Sequence, residues 1–163
     1  MSDDWIEQLT RDFQDTITRG VYEGIAQLPE EQRDRVMACQ AHACLQEFVK
    51  LYDLPETLDF DTFLARIATG GPSKIKIQRD GDIILWEEQH EGQCMCPLVR
   101  REVVPLQPAL CACATHWLRL LIERYARRPC HVELRESVAQ GTTNCVFVVT
   151  LGVPAAPSDR GSR

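Results

Sequence analysis

The chain has 163 residues, 44% of them hydrophobic, with eight cysteines and a net charge of −6. That length suits one ordinary domain with a buried core and falls short of two. The negative balance argues against nucleic-acid binding through a broad basic face, which needs Lys and Arg to neutralise phosphates; the Arg100–Arg101 pair is too short to reverse it.

The amino terminus, "MSDDWIEQLTRDF", is acidic and amphipathic, without the basic leader and apolar core of a secretion signal. No apolar run approaches the roughly 18 residues of a membrane span, so a cytoplasmic location without a membrane partner is expected. In that compartment thiols stay reduced, and clustered cysteines are metal ligands or redox groups rather than a disulfide framework.

Trp5, Leu9, Phe13, Ile17, Val21, Ile25 and Leu28 recur at steps of four or three, which lines one face of a first helix. This spacing predicts a core stripe, with Gly20 and Gly24 allowing a neighbour to approach. Pro29 suits the start of a second helix, whose stripe is Met37, Ala41, Cys44, Phe48 and Tyr52. Asp59 or Asp61 can cap a third helix holding Phe60, Phe63, Leu64 and Ile67, and Gly70–Gly71 ends it.

The period then changes from helical to alternating. "KIKIQRDGDIILWEE" predicts a β-hairpin turning at Asp80–Gly81, where positive φ is tolerated. A cysteine-containing loop follows, then a helix predicted from about Ala109 to Arg127, carrying Leu110, Trp117, Leu118, Leu121 and Ile122 inward. In the second hairpin, "CHVELRESV" sets Val132 and Leu134 against Glu133 and Arg135, "AQGTTN" turns, and "CVFVVTLGV" is a more buried strand.

This order predicts an α+β domain over residues 1–153: N-terminal helices over about 3–70, then two antiparallel β-hairpins forming a four-stranded sheet around a long helix over about 73–153. The tail 154–163, rich in Pro, Ser, Gly and Arg, is expected to be disordered.

Cys94 and Cys96 fall just past the first hairpin, and Cys111 and Cys113 in the opening turn of the long helix, where unpaired N–H groups and the helix dipole stabilise thiolate. If the Arg100–Gln107 segment folds back, the four sulfurs converge on zinc or an iron–sulfur cluster. Cys-x-Cys matches no common zinc-knuckle or ferredoxin spacing, and free cysteines also serve as small buried hydrophobes, so both readings stand here. His116, three residues past Cys113, is the candidate proton-transfer group or replacement ligand, or else packs beside Trp117. Cys39, His42 and Cys44 are assigned to helix packing. Cys145 and Trp117 are ligand-pocket candidates.

The stretch from Cys111 to Val149, with its Cys-containing helix start, Trp117, Val132–Glu133–Leu134, Ser137, Gly141, Cys145 and Phe147, resembles the carboxy-terminal half of two loosely related groups. These are the L-2-amino-thiazoline-4-carboxylate hydrolase-like proteins and the vinyl-reductase-type small-molecule-binding domains. Cys94-x-Cys96-Pro97 resembles the cysteine segment of the first group. The resemblance implies an α+β fold that binds a small molecule, with cysteines at or near a metal or ligand site. Sensory relatives can bind zinc through cysteines around the last hairpin; here Ser137 stands where a second cysteine would be expected, which turns attention to the Cys-x-Cys pairs.

Three functions follow: a metal-binding domain with a small-molecule ligand or substrate, a hydrolase using a thiolate or metal-bound water near His116, and a thiol or soft-metal sensor.

Overall fold

The computed structural model describes residues 4–71 and 73–153; the predicted tail lies outside the described residues. Helix α1 spans Asp4–Ala26, and α2 spans Glu30–Leu51 directly after Pro29. Helix α3, Phe60–Thr69, starts where Asp59 accepts the Thr62 N–H at 2.9 Å, the N-cap bond that relieves an unpaired donor. A short α4, Pro97–Arg100, lies inside the segment expected to be a loop. A 3₁₀ turn at Pro108–Leu110 precedes α5, Ala112–Ala126, so the long helix begins later than its apolar pattern predicts. Arg127, left-handed at φ 52°, closes it by donating to Glu123 O at 3.0 Å.

Strands β1 (Lys74–Asp80), β2 (Ile83–Gln89), β3 (Cys130–Glu136) and β4 (Cys145–Leu151) form one antiparallel sheet in the order β1-β2-β4-β3. The α+β class and the two hairpins expected from the sequence are therefore present. The first turn is shifted by one residue. Asp80 pairs with Ile83, leaving Gly81–Asp82 as the connection with Gly81 at φ 56°, the glycine-first arrangement of a type II′ turn. In the second hairpin, β3 stops at Glu136, and Val138 enters a 3₁₀ turn with its side chain buried.

Alternation decides which face of the sheet is covered. Ile84 and Trp86 of β2 and Phe147 and Val149 of β4 are buried, and α5 packs over them with Leu118, Leu121 and Ile122 inward. Helix α2 lies along α5. Aromatic contacts tie these elements together: Phe48 of α2 meets Trp117 of α5 at 4.8 Å between ring centroids, and Trp117 meets Trp86 edge-on at 6.4 Å. Phe63 of α3 stacks on Tyr125 at 4.3 Å, while the Tyr125 hydroxyl donates to Pro55 O at 3.0 Å.

The first helix departs from the sequence expectation. Its stripe is not core: Phe13 is 65% exposed, and Trp5, Leu9, Ile17 and Val21 are exposed too. What α1 turns toward the body is the opposite side, with Asp15, Thr18 and Tyr22 half-buried. Polar contacts fasten it there. Arg101 Nη2 donates to both Asp15 carboxylate oxygens at 2.7 Å, and Arg19 Nε donates to Val103 O at 3.2 Å. No helix among the described residues is long and apolar enough to cross a membrane.

Candidate metal centre

The inner face of β2 carries Ile84 and Trp86, and the same alternation puts Glu88 and then His90 on that face. Opposite Glu88 in the β2–β4 register stands Cys145. Two strands thus deliver a carboxylate, an imidazole and a thiol to one point at the end of the apolar core. One ligand atom from each of Glu88, His90 and Cys145 lies within 4.8 Å of the other two, and no other trio of His, Cys, Asp or Glu among the described residues does so.

The surroundings hold this trio in place. Trp86 Nε1 donates to Glu88 Oε1 at 3.1 Å, and Glu88 Oε2 stands 3.0 Å from His90 Nε2. Asn144 fastens the end of β2 to the start of β4, accepting the His90 backbone N–H at 3.2 Å and donating to Glu87 Oε1 at 2.8 Å. His90 is 8% exposed, and its Nδ1 is buried without a hydrogen-bond partner. Burial opposes protonation of His90, but the Cys145 sulfur and the Glu88 carboxylate outweigh it and raise its pKa to about 9.

The Cys-x-Cys pairs gather next to the trio. Cys96 immediately precedes α4, Cys111 immediately precedes α5, and Cys113 lies in the first turn of α5, where its Sγ donates to Leu110 O at 3.5 Å. Burial pushes the Cys113 thiol up to about 12, reinforced by Cys44, Cys96, Cys111 and Cys94. Burial likewise raises Cys111 to about 12, with Cys94, Cys145 and Cys96 acting in the same direction. Cys94 is raised by burial, against a backbone hydrogen bond at Cys96 that lowers it, and then by Cys96, Cys145 and Glu88. Burial and Cys96 raise Cys44.

Cys96 acts on Cys44, Cys94, Cys111 and Cys113, and Cys145 acts on Cys94 and Cys111, which puts these six thiols in one neighbourhood. Helix-start stabilisation of thiolate does not prevail at Cys111 and Cys113, because desolvation and like charges outweigh it. The sulfurs of Cys94, Cys96, Cys111 and Cys113 are near enough to influence one another, yet no three of them come within 4.8 Å.

The other sequence candidates lie elsewhere. His116 faces α2, where its Nε2 is 2.8 Å from Asp34 Oδ1. Trp117 is packed between Phe48 and Trp86. Cys39 and His42 are exposed, and Cys130 sits toward the far end of α5, its Sγ donating to Arg119 O at 3.7 Å. Cys44, assigned to packing from its helical spacing, is half-buried and also within electrostatic reach of Cys96 and Cys113. Glu88 and His90 escaped attention in the sequence although they carry a signal: polar residues continuing the face occupied by Ile84 and Trp86.

Next to His90 opens a cleft of about 300 Å³ lined by Ser73, Lys74, Gln89, Glu91, Gln93, Met95 and Arg100. A scan against models of protein families and a search of curated proteins each return no match.

Proposed function

We propose that this chain is a metal-binding domain of the cytoplasm whose Cys94, Cys96, Cys111 and Cys113 thiolates hold zinc or an iron–sulfur cluster, and that it takes a small-molecule ligand. The carrying observation is the gathering of these thiols, with Cys96 opposing ionisation of Cys94, Cys111 and Cys113, and Cys94 opposing that of Cys111 and Cys113. A half-buried group of potential anions is costly to ionise unless a cation accompanies it, and metal coordination supplies that cation while selecting the thiolate form.

The donor chemistry fits both cofactors, since thiolates suit zinc and iron–sulfur clusters alike. The cleft beside His90 supports the small-molecule part of the proposal. Its wall carries Lys74, paired with Glu91 at 3.6 Å, and Arg100, whose guanidinium favours an anionic molecule, for example one bearing a carboxylate. The resemblance of Cys111–Val149 to small-molecule-binding domains points the same way.

Metal analysis and an absorption spectrum of anaerobically purified protein test this reading. Stoichiometric zinc, or iron with visible sulfur-to-iron charge-transfer bands, is the expected result. Protein that is folded, fully reduced and free of metal, and remains so when zinc or iron and sulfide are offered, would refute it.

A further inference from the structure

We propose a second metal site, distinct from the Cys-x-Cys thiols, in which Glu88, His90 and Cys145 bind one divalent cation of borderline softness, zinc being the natural occupant. Three independent features lead to it. The first is geometry: these are the three residues whose ligand atoms already stand within 4.8 Å of one another, supplied by β2 and β4. Zinc bonds of about 2.0–2.3 Å to nitrogen, oxygen and sulfur place neighbouring donors within that range.

The second is the seating of the His90 ring. His90 is more than nine-tenths buried, and its Nδ1 has no hydrogen-bond partner. With no partner at Nδ1, the ring's position toward Glu88 is set by its contact at Nε2. Nε2 is the nitrogen that faces the Glu88 carboxylate, so it is the one that can share a cation with Glu88; a metal there replaces the shared proton and leaves Nδ1 as the N–H of a neutral ring. Trp86 meanwhile holds the other carboxylate oxygen, giving the group the outer support that ligand residues require.

The third is charge balance. A Glu88 carboxylate and a Cys145 thiolate together carry two negative charges, which one divalent cation cancels. No Lys or Arg among the described residues forms an ion pair with Glu88; its salt-bridge partner is His90. A set of one nitrogen, one oxygen and one sulfur is characteristic of neither hard magnesium nor a pure thiolate site, and suits zinc. Three protein ligands leave a fourth position for water or a small-molecule donor. This site therefore has the open coordination that a closed four-cysteine centre lacks.

Cobalt(II) is the probe, because tetrahedral cobalt with a thiolate ligand absorbs visibly. The Cys94→Ser/Cys96→Ser/Cys111→Ser/Cys113→Ser variant should bind one equivalent of cobalt, with a single-thiolate charge-transfer band that Cys145→Ser abolishes. His90→Ala in the otherwise unchanged chain should reduce the cobalt bound by one equivalent, leaving the Cys-x-Cys site occupied. Should the fourfold variant fail to fold by circular dichroism, this difference between wild type and His90→Ala decides the matter. Equal cobalt stoichiometry in the two proteins, or a folded fourfold variant that binds none, overturns the proposal. Loss of the Cys-x-Cys site alone would instead remove the larger, multi-thiolate signal and spare this one, so the two proposals fail separately.

Discussion

The indole Nε1–H of Trp86 donates to Glu88 Oε1 at 3.1 Å, so a fully buried side chain at the centre of the core also fixes one edge of a carboxylate at the candidate centre. Packing and ligand geometry meet in this pair. Trp86→Phe keeps most of the ring volume and removes the donor. Its destabilisation should stay below the about 3–5 kcal/mol typical of Trp→Ala. Cobalt affinity at Glu88, His90 and Cys145 should fall by about 10–100-fold, the usual cost of losing an outer-shell partner. Parallel cobalt titration and thermal unfolding check both; unchanged affinity in a folded variant would show that the indole plays no supporting role.

Helix α1 is held by side-chain contacts with little burial behind them. Arg101→Ala removes the bidentate contact to Asp15, and with Arg101 and Asp15 both solvent-accessible the cost should be about 0.2–1 kcal/mol. Hydrogen exchange should show faster opening of α1 while the sheet and α5 keep their protection. Phe13→Ser should move the unfolding free energy by no more than about 0.5 kcal/mol, as expected for an exposed position. A much larger loss would place that stripe in an interface.

Gly71 faces the Tyr52 ring so closely that a β-carbon there would lie 1.9 Å from Tyr52 Cε1. The ring cannot easily yield: it stacks on Phe48 at 4.3 Å, and its hydroxyl donates to Ser73 O at 3.4 Å. Gly71→Ala should destabilise by about 1–3 kcal/mol through overpacking. Chemical denaturation would register this as a lower midpoint with an unchanged slope.

Cys130 provides a pH test away from the candidate centre. Burial, then the Glu123 carboxylate, pushes its thiol from about 9 up to about 12. The folded chain therefore retains a proton that the unfolded chain releases as the pH passes about 9. The associated stability is fully present below about 9 and is lost as the pH rises toward about 12. Urea midpoints followed from pH 8.5 to 11 should decline less steeply for Cys130→Ala than for wild type; identical slopes would remove Cys130 from the account.

Much of the fold was legible because alternation and helical spacing report directly on local structure. The β1–β2 hairpin, the Asp59 cap and the inward face of α5 all follow from short-range patterns. The stripe on α1 was misassigned because periodicity shows that a helix is amphipathic, not that a neighbour covers its apolar side. The two Cys-x-Cys pairs were visible as a motif, but the approach of Cys44 depends on the packing of α2 along α5. The Glu88–Cys145 pairing was hidden for a similar reason. It arises from β2 joining β4 across the intervening α4, α5 and β3, a register that neither segment specifies alone.

The sheet order β1-β2-β4-β3 gives the candidate centre one fixed wall and one adjustable wall. Glu88 and Cys145 belong to strands hydrogen-bonded on both sides, so their separation is set by the backbone ladder. Cys94 and Cys96 ride on the connection between β2 and α5, whose length no ladder constrains. Lengthening or shortening that connection would reset the spacing of the sulfurs while leaving the β2–β4 pair untouched.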